Sequence, residues 1–307
     1  MQTPDVLVLG GGGILGEAWM SAMLTGLDEG GGFDSRSCTQ VLGTSAGSIV
    51  AASLAAGIEP GSRLGDLPST PALSPEDQAD AGASRVLGGA ALLGSAAAAP
   101  LASLALSSTA TGGALLRRTA LRRAPTGRRS LAALADAVER SGVSWNGRLR
   151  IVAVEIESGA RVVFGSPGAP ELSVARAVEA SCAIPGVFRP VRSGERTYVD
   201  GGVWSPTNLD AVEVDPGQQV LCLNPTGSLR PTLGGLTGTL GPISRGVART
   251  EALALQHRGI HVATVNPDRR SAAALGANLM DAQRRDEVIA AGVAQGRRLS
   301  LARDRAA

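Results

Sequence analysis

Short apolar runs closed by glycine or acidic residues alternate along this chain with stretches of helical period. Val6 to Leu9, bounded by Asp5 and a glycine cluster, predicts a strand buried on both faces of a parallel sheet. Gly10 to Gly16 predicts a turn. Ala18, Met20, Met23, Leu24 and Leu27 then recur at helical spacing over Glu17 to Asp28, and Gly30 to Gly32 stop the helix. A second strand, near Thr39 to Leu42, leads into a small apolar helix from Ala46 to Ala56 that ends at Gly57.

From Glu59 to about Ser130 the pattern dissolves into Pro, Gly, Ser and Ala without a period of 2 or 3.6, which reads as an insertion or cap. Helical spacing resumes over Leu131 to Glu139. Arg150 to Glu157 and Arg161 to Phe164 predict a hairpin around Ser158-Gly159 with a type I′ or II′ turn. Ser173 to Ser181 reads as a short helix, and Val187 to Val191 and Arg196 to Val199 as strands around Ser193-Gly194. Val220 to Leu223 and Ile260 to Val265 are further strands flanked by helices, the last running from about Asp281 to Leu301. Strands alternating with helices indicate an α/β class.

The 307 residues suit one large domain, and 44% hydrophobic against 18% charged residues is a globular composition. Aromatics at 2% mean a core of Ala, Val, Leu and Ile. The chain has no lysine, which removes Schiff-base and P-loop lysine chemistry. Cys38, Cys182 and Cys222 are odd in number, widely spaced and free of any C-x-x-C, so neither a disulfide framework nor a zinc site is indicated. The start, Met-Gln-Thr-Pro-Asp, lacks the basic and long apolar regions of a signal peptide, and a cytoplasmic protein is expected.

Leu42 to Ile49 carries a G-x-S-x-G motif in Gly43, Ser45 and Gly47. A serine on a sharp strand-to-helix turn has its hydroxyl pushed clear of the backbone, and glycines two positions to either side let the chain pack that tightly. In a chain with 41 glycines the motif is weak alone, so context decides. The run Gly10 to Gly16 lies where a strand becomes a helix, so several N–H groups can converge on an anion. It suits an oxyanion hole, or, through Gly11, Gly13 and Gly16, a dinucleotide fingerprint. The latter needs an acid at the end of the second strand, which instead closes in Gly43-Thr44-Ser45. Two candidates exist for a base. His257 and His261 flank a helix-to-strand junction, which leaves a Ser-His-Asp arrangement as the lesser reading. Asp200 follows an apolar-ended strand and precedes Gly201-Gly202; a turn-capping role is its plainer alternative.

Taken in order, the Gly10 to Gly16 loop, Gly43-Thr44-Ser45-Ala46-Gly47-Ser48, Ala180-Ser181-Cys182-Ala183-Ile184-Pro185-Gly186-Val187-Phe188 with Pro190, and Asp200-Gly201-Gly202 with Pro206 resemble the patatin-like phospholipases, bacterial lipid acyl hydrolases with a Ser-Asp dyad. The resemblance covers most of the chain outside residues 59 to 130. It implies a three-layer α/β fold with a mostly parallel sheet and helices on both faces, formed as one domain over 1–307 with a lid-like insertion at about 59–130. It also implies Ser45 as nucleophile, Asp200 as its partner, Gly11, Gly12 and Gly13 as oxyanion hole, a lipid or phospholipid ester as substrate, and no cofactor or metal. Many relatives carry Arg or Lys where Leu15 stands, which leaves a catalytically weak lipid-binding protein as the alternative to a hydrolase.

The net charge is +2, but Ala81 to Ala135 holds seven arginines and no acid. Residues 86 to 116 are uncharged, and their glycine and proline content argues against a membrane-spanning helix. Arg117, Arg118, Arg122, Arg123, Arg128 and Arg129 follow. Together they predict peripheral contact with an anionic membrane at its inner face, against the alternative of a solvated loop. Without interleaved aromatics, nucleic acid is not expected.

Overall fold

The computed structural model describes residues 3–31, 33–65, 110–229 and 240–304. Among them eight strands form one mixed sheet: β1 (Val6–Leu9), β2 (Gln40–Thr44), β3 (Leu149–Glu155), β4 (Arg161–Phe164), β5 (Val191–Ser193), β6 (Arg196–Asp200), β7 (Gln219–Leu223) and β8 (His261–Val265). The order is β5-β6-β3-β2-β1-β7-β8, with β4 also on β3. β3, β2, β1, β7 and β8 are parallel, and β4, β6 and β5 join antiparallel.

Alternation along the strands divides the core. Leu7 and Leu9 of β1 pack with helices α1 (Gly13–Asp28), α2 (Ala46–Ala55), α4 (Ala132–Arg140), α5 (Val174–Ser181) and α8 (Arg285–Asp304). Val6 and Val8 face the opposite layer with Ala252 and Leu255 of α6 (Leu240–Gln256). Leu121 of α3 (Ala110–Arg123) meets Val154 and Val199 on a third patch. A further short helix, α7, spans Arg269–Leu275. Helices on both faces explain why β1 is apolar at every position.

The backbone bonds of β3 decide where Ser45 and Asp200 come together. Glu155 N–H donates to Ala160 O on the β4 side, whereas Val41 N–H donates to Arg148 O and Ile156 N–H to Thr197 O on the other. β2 and β6 therefore share one edge of β3, end to end. β2 runs with β3 and stops at Thr44, opposite Val152; β6 runs against it and stops at Asp200, opposite Ala153.

Four expectations change. The helix after β1 begins at Gly13 rather than Glu17, so the second half of the glycine run is helical. The loop between β3 and β4 has five residues, 156–160, not two, because Ile156 bonds Thr197 of β6 instead of extending the hairpin; Gly159 in it stands at φ 70°. Val187 to Val191 is not a strand: Phe188 makes an isolated bridge to Arg129, and the ladder starts only at Val191. Within the expected insertion, Ala110–Arg123 is helical, while residues 66–109, including most of the uncharged stretch, lie outside the described residues. Among the described residues no helix is long and apolar enough to cross a membrane, no group of residues could hold a metal, and Cys38, Cys182 and Cys222 are free and buried.

Candidate active site

Ser45 is the residue between β2 and α2, held at φ 52° and ψ −123°, a conformation that a non-glycine residue adopts only at a cost. Its surroundings hold it there. Ser48 N–H and Ser48 Oγ both donate to Ser45 O, at 2.8 and 2.7 Å. Gly43 leaves no room for a side chain, since a Cβ would stand 2.5 Å from Gly47 O, and a Cβ on Gly47 would collide with Leu9 O. The two glycines thus let the start of α2 press onto the ends of β2 and β1.

Asp200 closes β6 and is buried, with 5% of its surface exposed. Burial raises its carboxyl from 3.8 to about 6, opposed by the nearby Ser45 side chain and by the Gly202 N–H, which donates to Oδ1 at 2.7 Å. A Cβ on Gly201 would stand 2.5 Å from Val152 O, so the chain can turn there only as glycine. Ser45 and Asp200 therefore meet at the gap between β2 and β6.

The glycine run lines the same gap. A Cβ on Gly11 would lie 3.4 Å from the Ser45 Cβ. The Gly11 N–H, expected as an oxyanion donor, is already taken: it donates to Pro206 O at 2.8 Å, as Gly10 N–H does to Leu223 O at 3.0 Å. The N–H groups of Gly12 and Gly13, at the positive end of α1, have no partner among the described residues. Gly12 is pressed against Pro225, whose ring would meet a Cβ at 2.8 Å. The dinucleotide reading loses its ground, because β2 ends in Thr44, whose hydroxyl accepts from Asn208 Nδ2 at 3.1 Å.

A family model described as patatin-like phospholipase matches residues 7–212. The chain belongs to the patatin-like phospholipase family. Among solved structures it is similar to VipD from Legionella pneumophila, at 16% identity and a TM-score of 0.45, over 97% of this chain and 67% of that one. No curated protein matches it.

In this patatin-like chain Leu15 is fully buried in the core and gives its N–H to Leu279 O at 3.0 Å. The nearby buried ion pair is Glu17 with Arg63, whose Nη1 also reaches Ser53 Oγ at 2.7 Å. His257 and His261 are exposed at the end of α6 and the start of β8, the edge of the sheet opposite to the carboxyl ends of β1 and β2. Neither can reach Ser45.

Three polar residues around the pair had no role assigned from sequence. Ser181 binds the Ser45 backbone. Asn208, left-handed at φ 49°, donates through Nδ2 to Thr44 Oγ1, Gly201 O and Ser205 O. Glu251 of α6 accepts from Thr207 Oγ1 at 2.6 Å and Leu209 N–H at 3.0 Å, clamping the segment that follows Asp200. Burial and the nearby Asp210 hold its carboxyl above the usual carboxylate range.

The arginine cluster divides. Arg117 is turned inward, donating to Gly159 O at 2.8 Å and stacking on Trp204, so it is not the surface cation expected of it. Burial and repulsion from Arg161 push its guanidinium down to about 10. Arg118 and Arg129 are half-buried, and Arg129 also pairs through its backbone with Phe188. Arg122, Arg123 and Arg128 are exposed.

Proposed function

We propose that this chain hydrolyses carboxylic esters of phospholipids or related lipids through an acyl-enzyme on Ser45, with Asp200 as base. The observation that carries the reading is the buried Asp200 carboxyl, raised to about 6 by its burial and placed beside Ser45 at the gap between two strand ends. An ordinary aspartate is too weak a base to activate a serine; one held near 6 is ionised at neutral pH and is a better proton acceptor.

In the first step Ser45 Oγ attacks the ester carbonyl and its proton passes to Asp200. The N–H groups of Gly12 and Gly13 hold the oxyanion, with the dipole of α1 behind them. As the intermediate collapses, the leaving alcohol takes the proton from Asp200. Water then attacks the acyl-enzyme, gives a proton to Asp200, and the fatty acid leaves as that proton returns to Ser45. No cofactor or metal enters the scheme. The domain is read as continuous over 1–307 with an insertion at about 59–130, and the exposed Arg122, Arg123 and Arg128 supply peripheral contact with an anionic membrane.

The test is covalent labelling by a fluorophosphonate, read by intact mass and peptide mapping. Labelling at Ser45, abolished in Ser45→Ala and with parallel loss of ester hydrolysis, is expected. Absence of labelling in the folded protein, or labelling elsewhere, would leave a lipid-binding protein without this chemistry, as the missing cation at Leu15 would allow.

A further inference from the structure

The end-to-end meeting of β2 and β6 creates a local deficit on β3. Val152 O points into the gap, where neither strand continues to supply an N–H, and the sharp turn at Ser45 leaves its own N–H outside any ladder. Buried backbone groups of this kind must find partners. One side chain satisfies both: Ser181 Oγ donates to Val152 O at 2.6 Å and accepts from Ser45 N–H at 2.8 Å. A hydroxyl suits this position because it is donor and acceptor at once.

Ser181 is the last residue of α5 and is fully buried. Two residues on, Ala183 O accepts the N–H of Asp200 at 3.0 Å. A single turn, Ser181 to Ala183, is thus bonded to the backbone of both reactive residues and to the strand between them. Among the described residues no other turn is hydrogen-bonded to all three.

We infer that Ser181 is a positioning residue, which holds Ser45 in its strained conformation and at its working distance from Asp200 by bridging Ser45 N–H to Val152 O. This rests on the hydrolase reading above. Ser181 does not touch substrate, so its loss acts on the transition state through the placement of Ser45 and not on substrate binding. A displacement of the nucleophile on the order of an ångström is worth about 100-fold in rate.

The experiment compares wild type, Ser181→Ala and Ser181→Cys on a soluble short-chain ester, well below each protein's Tm, with the exchange rate of the Ser45 amide measured by NMR. Expected for Ser181→Ala are a fall in kcat of about 10- to 100-fold, KM within about twofold, and loss of protection at Ser45 N–H with protection kept at Val8 in β1. Ser181→Cys, whose sulfur bonds more weakly, falls between. If Ser181→Ala does not fold, Ser181→Cys decides by the same criteria. A folded variant with wild-type kcat, a loss confined to KM, or unchanged protection at Ser45 would overturn the assignment. Wild-type hydrolysis that survives Ser45→Ala would instead overturn the hydrolase reading, and the role of Ser181 with it.

Discussion

The guanidinium of Arg117 lies 3.9 Å from the centre of the Trp204 ring, with Arg161 at 5.2 Å from the same ring. Trp204 follows Asp200 by four residues, so this stack ties α3 to the segment leaving the site. A partly desolvated cation–π contact contributes about 1–2 kcal/mol. Arg117→Ala should therefore lower Tm by roughly 1–3 °C in calorimetry without changing how vesicle binding depends on salt. Arg122→Gln, Arg123→Gln and Arg128→Gln together should do the reverse, weakening sedimentation with anionic vesicles by up to roughly 100-fold at low salt while Tm stays put. Equal vesicle binding by the triple variant would reduce these arginines to a solvated surface.

The raised carboxyl of Asp200 sets a pH profile. In the proposed mechanism the ionised form is the base, so kcat/KM for a soluble ester should rise with pH to a midpoint near 6 and level off above it. A midpoint at or below 3.8 would remove Asp200 as a desolvated base.

Stability carries the opposite sign. Between 3.8 and about 6 the folded protein holds a proton on Asp200 that the unfolded chain has released, so this group lowers stability as pH rises through that window. Above it the buried charge costs roughly 3 kcal/mol. Asp200→Asn should abolish hydrolysis yet be more stable than wild type at pH 7 in urea titrations, and the advantage should vanish below about pH 4. An Asn variant less stable at pH 7 would mean that the Asp200 bonds outweigh its burial.

Glu251 tests the clamp on the segment after Asp200. Glu251→Gln keeps an oxygen for Thr207 and Leu209 and should fold with most of the activity. Glu251→Ala strands a buried hydroxyl and N–H, costing about 1–3 kcal/mol, and should lower both Tm and kcat. Equal kcat in the Ala and wild-type proteins would detach this clamp from the site.

His257→Ala and His261→Ala should each leave ester hydrolysis within a few-fold of wild type, since both side chains are exposed at the far edge of the sheet. A histidine variant as inactive as Ser45→Ala would restore a Ser-His-Asp arrangement.

Much of the fold was legible because its strands are short apolar runs stopped by glycine or acid, and β1, β2, β3, β6 and β7 lie where that pattern put them within a few residues. The sharp turns at Ser45 and after Asp200 were legible through their glycines, which the packing requires at 43, 47 and 201. α3 was hidden because Ala, Gly, Leu and Arg follow one another there without a clear apolar period. The roles of Ser181 and Asn208 were hidden for another reason: their partners at Ser45 and Thr44 are 136 and 164 residues away, and nothing local in a serine or an asparagine announces such a bond. The inward turn of Arg117 was equally invisible, since its sequence neighbours are other arginines and Trp204 is far along the chain.

The way Gly201 meets β3 also guards against an impostor state. Moving β6 along β3 by two residues would keep every side chain on its proper face and satisfy the hydrophobic pattern, while carrying Asp200 roughly 7 Å from Ser45. Such a protein would look folded while holding the two residues apart. In the observed register the position against Val152 O, where no Cβ fits, is filled by glycine. A slide in one direction would bring Val203 there, and in the other Val199, each with a branched side chain. The glycine that lets the chain turn beneath Asp200 therefore also makes the correct alignment the one that can close.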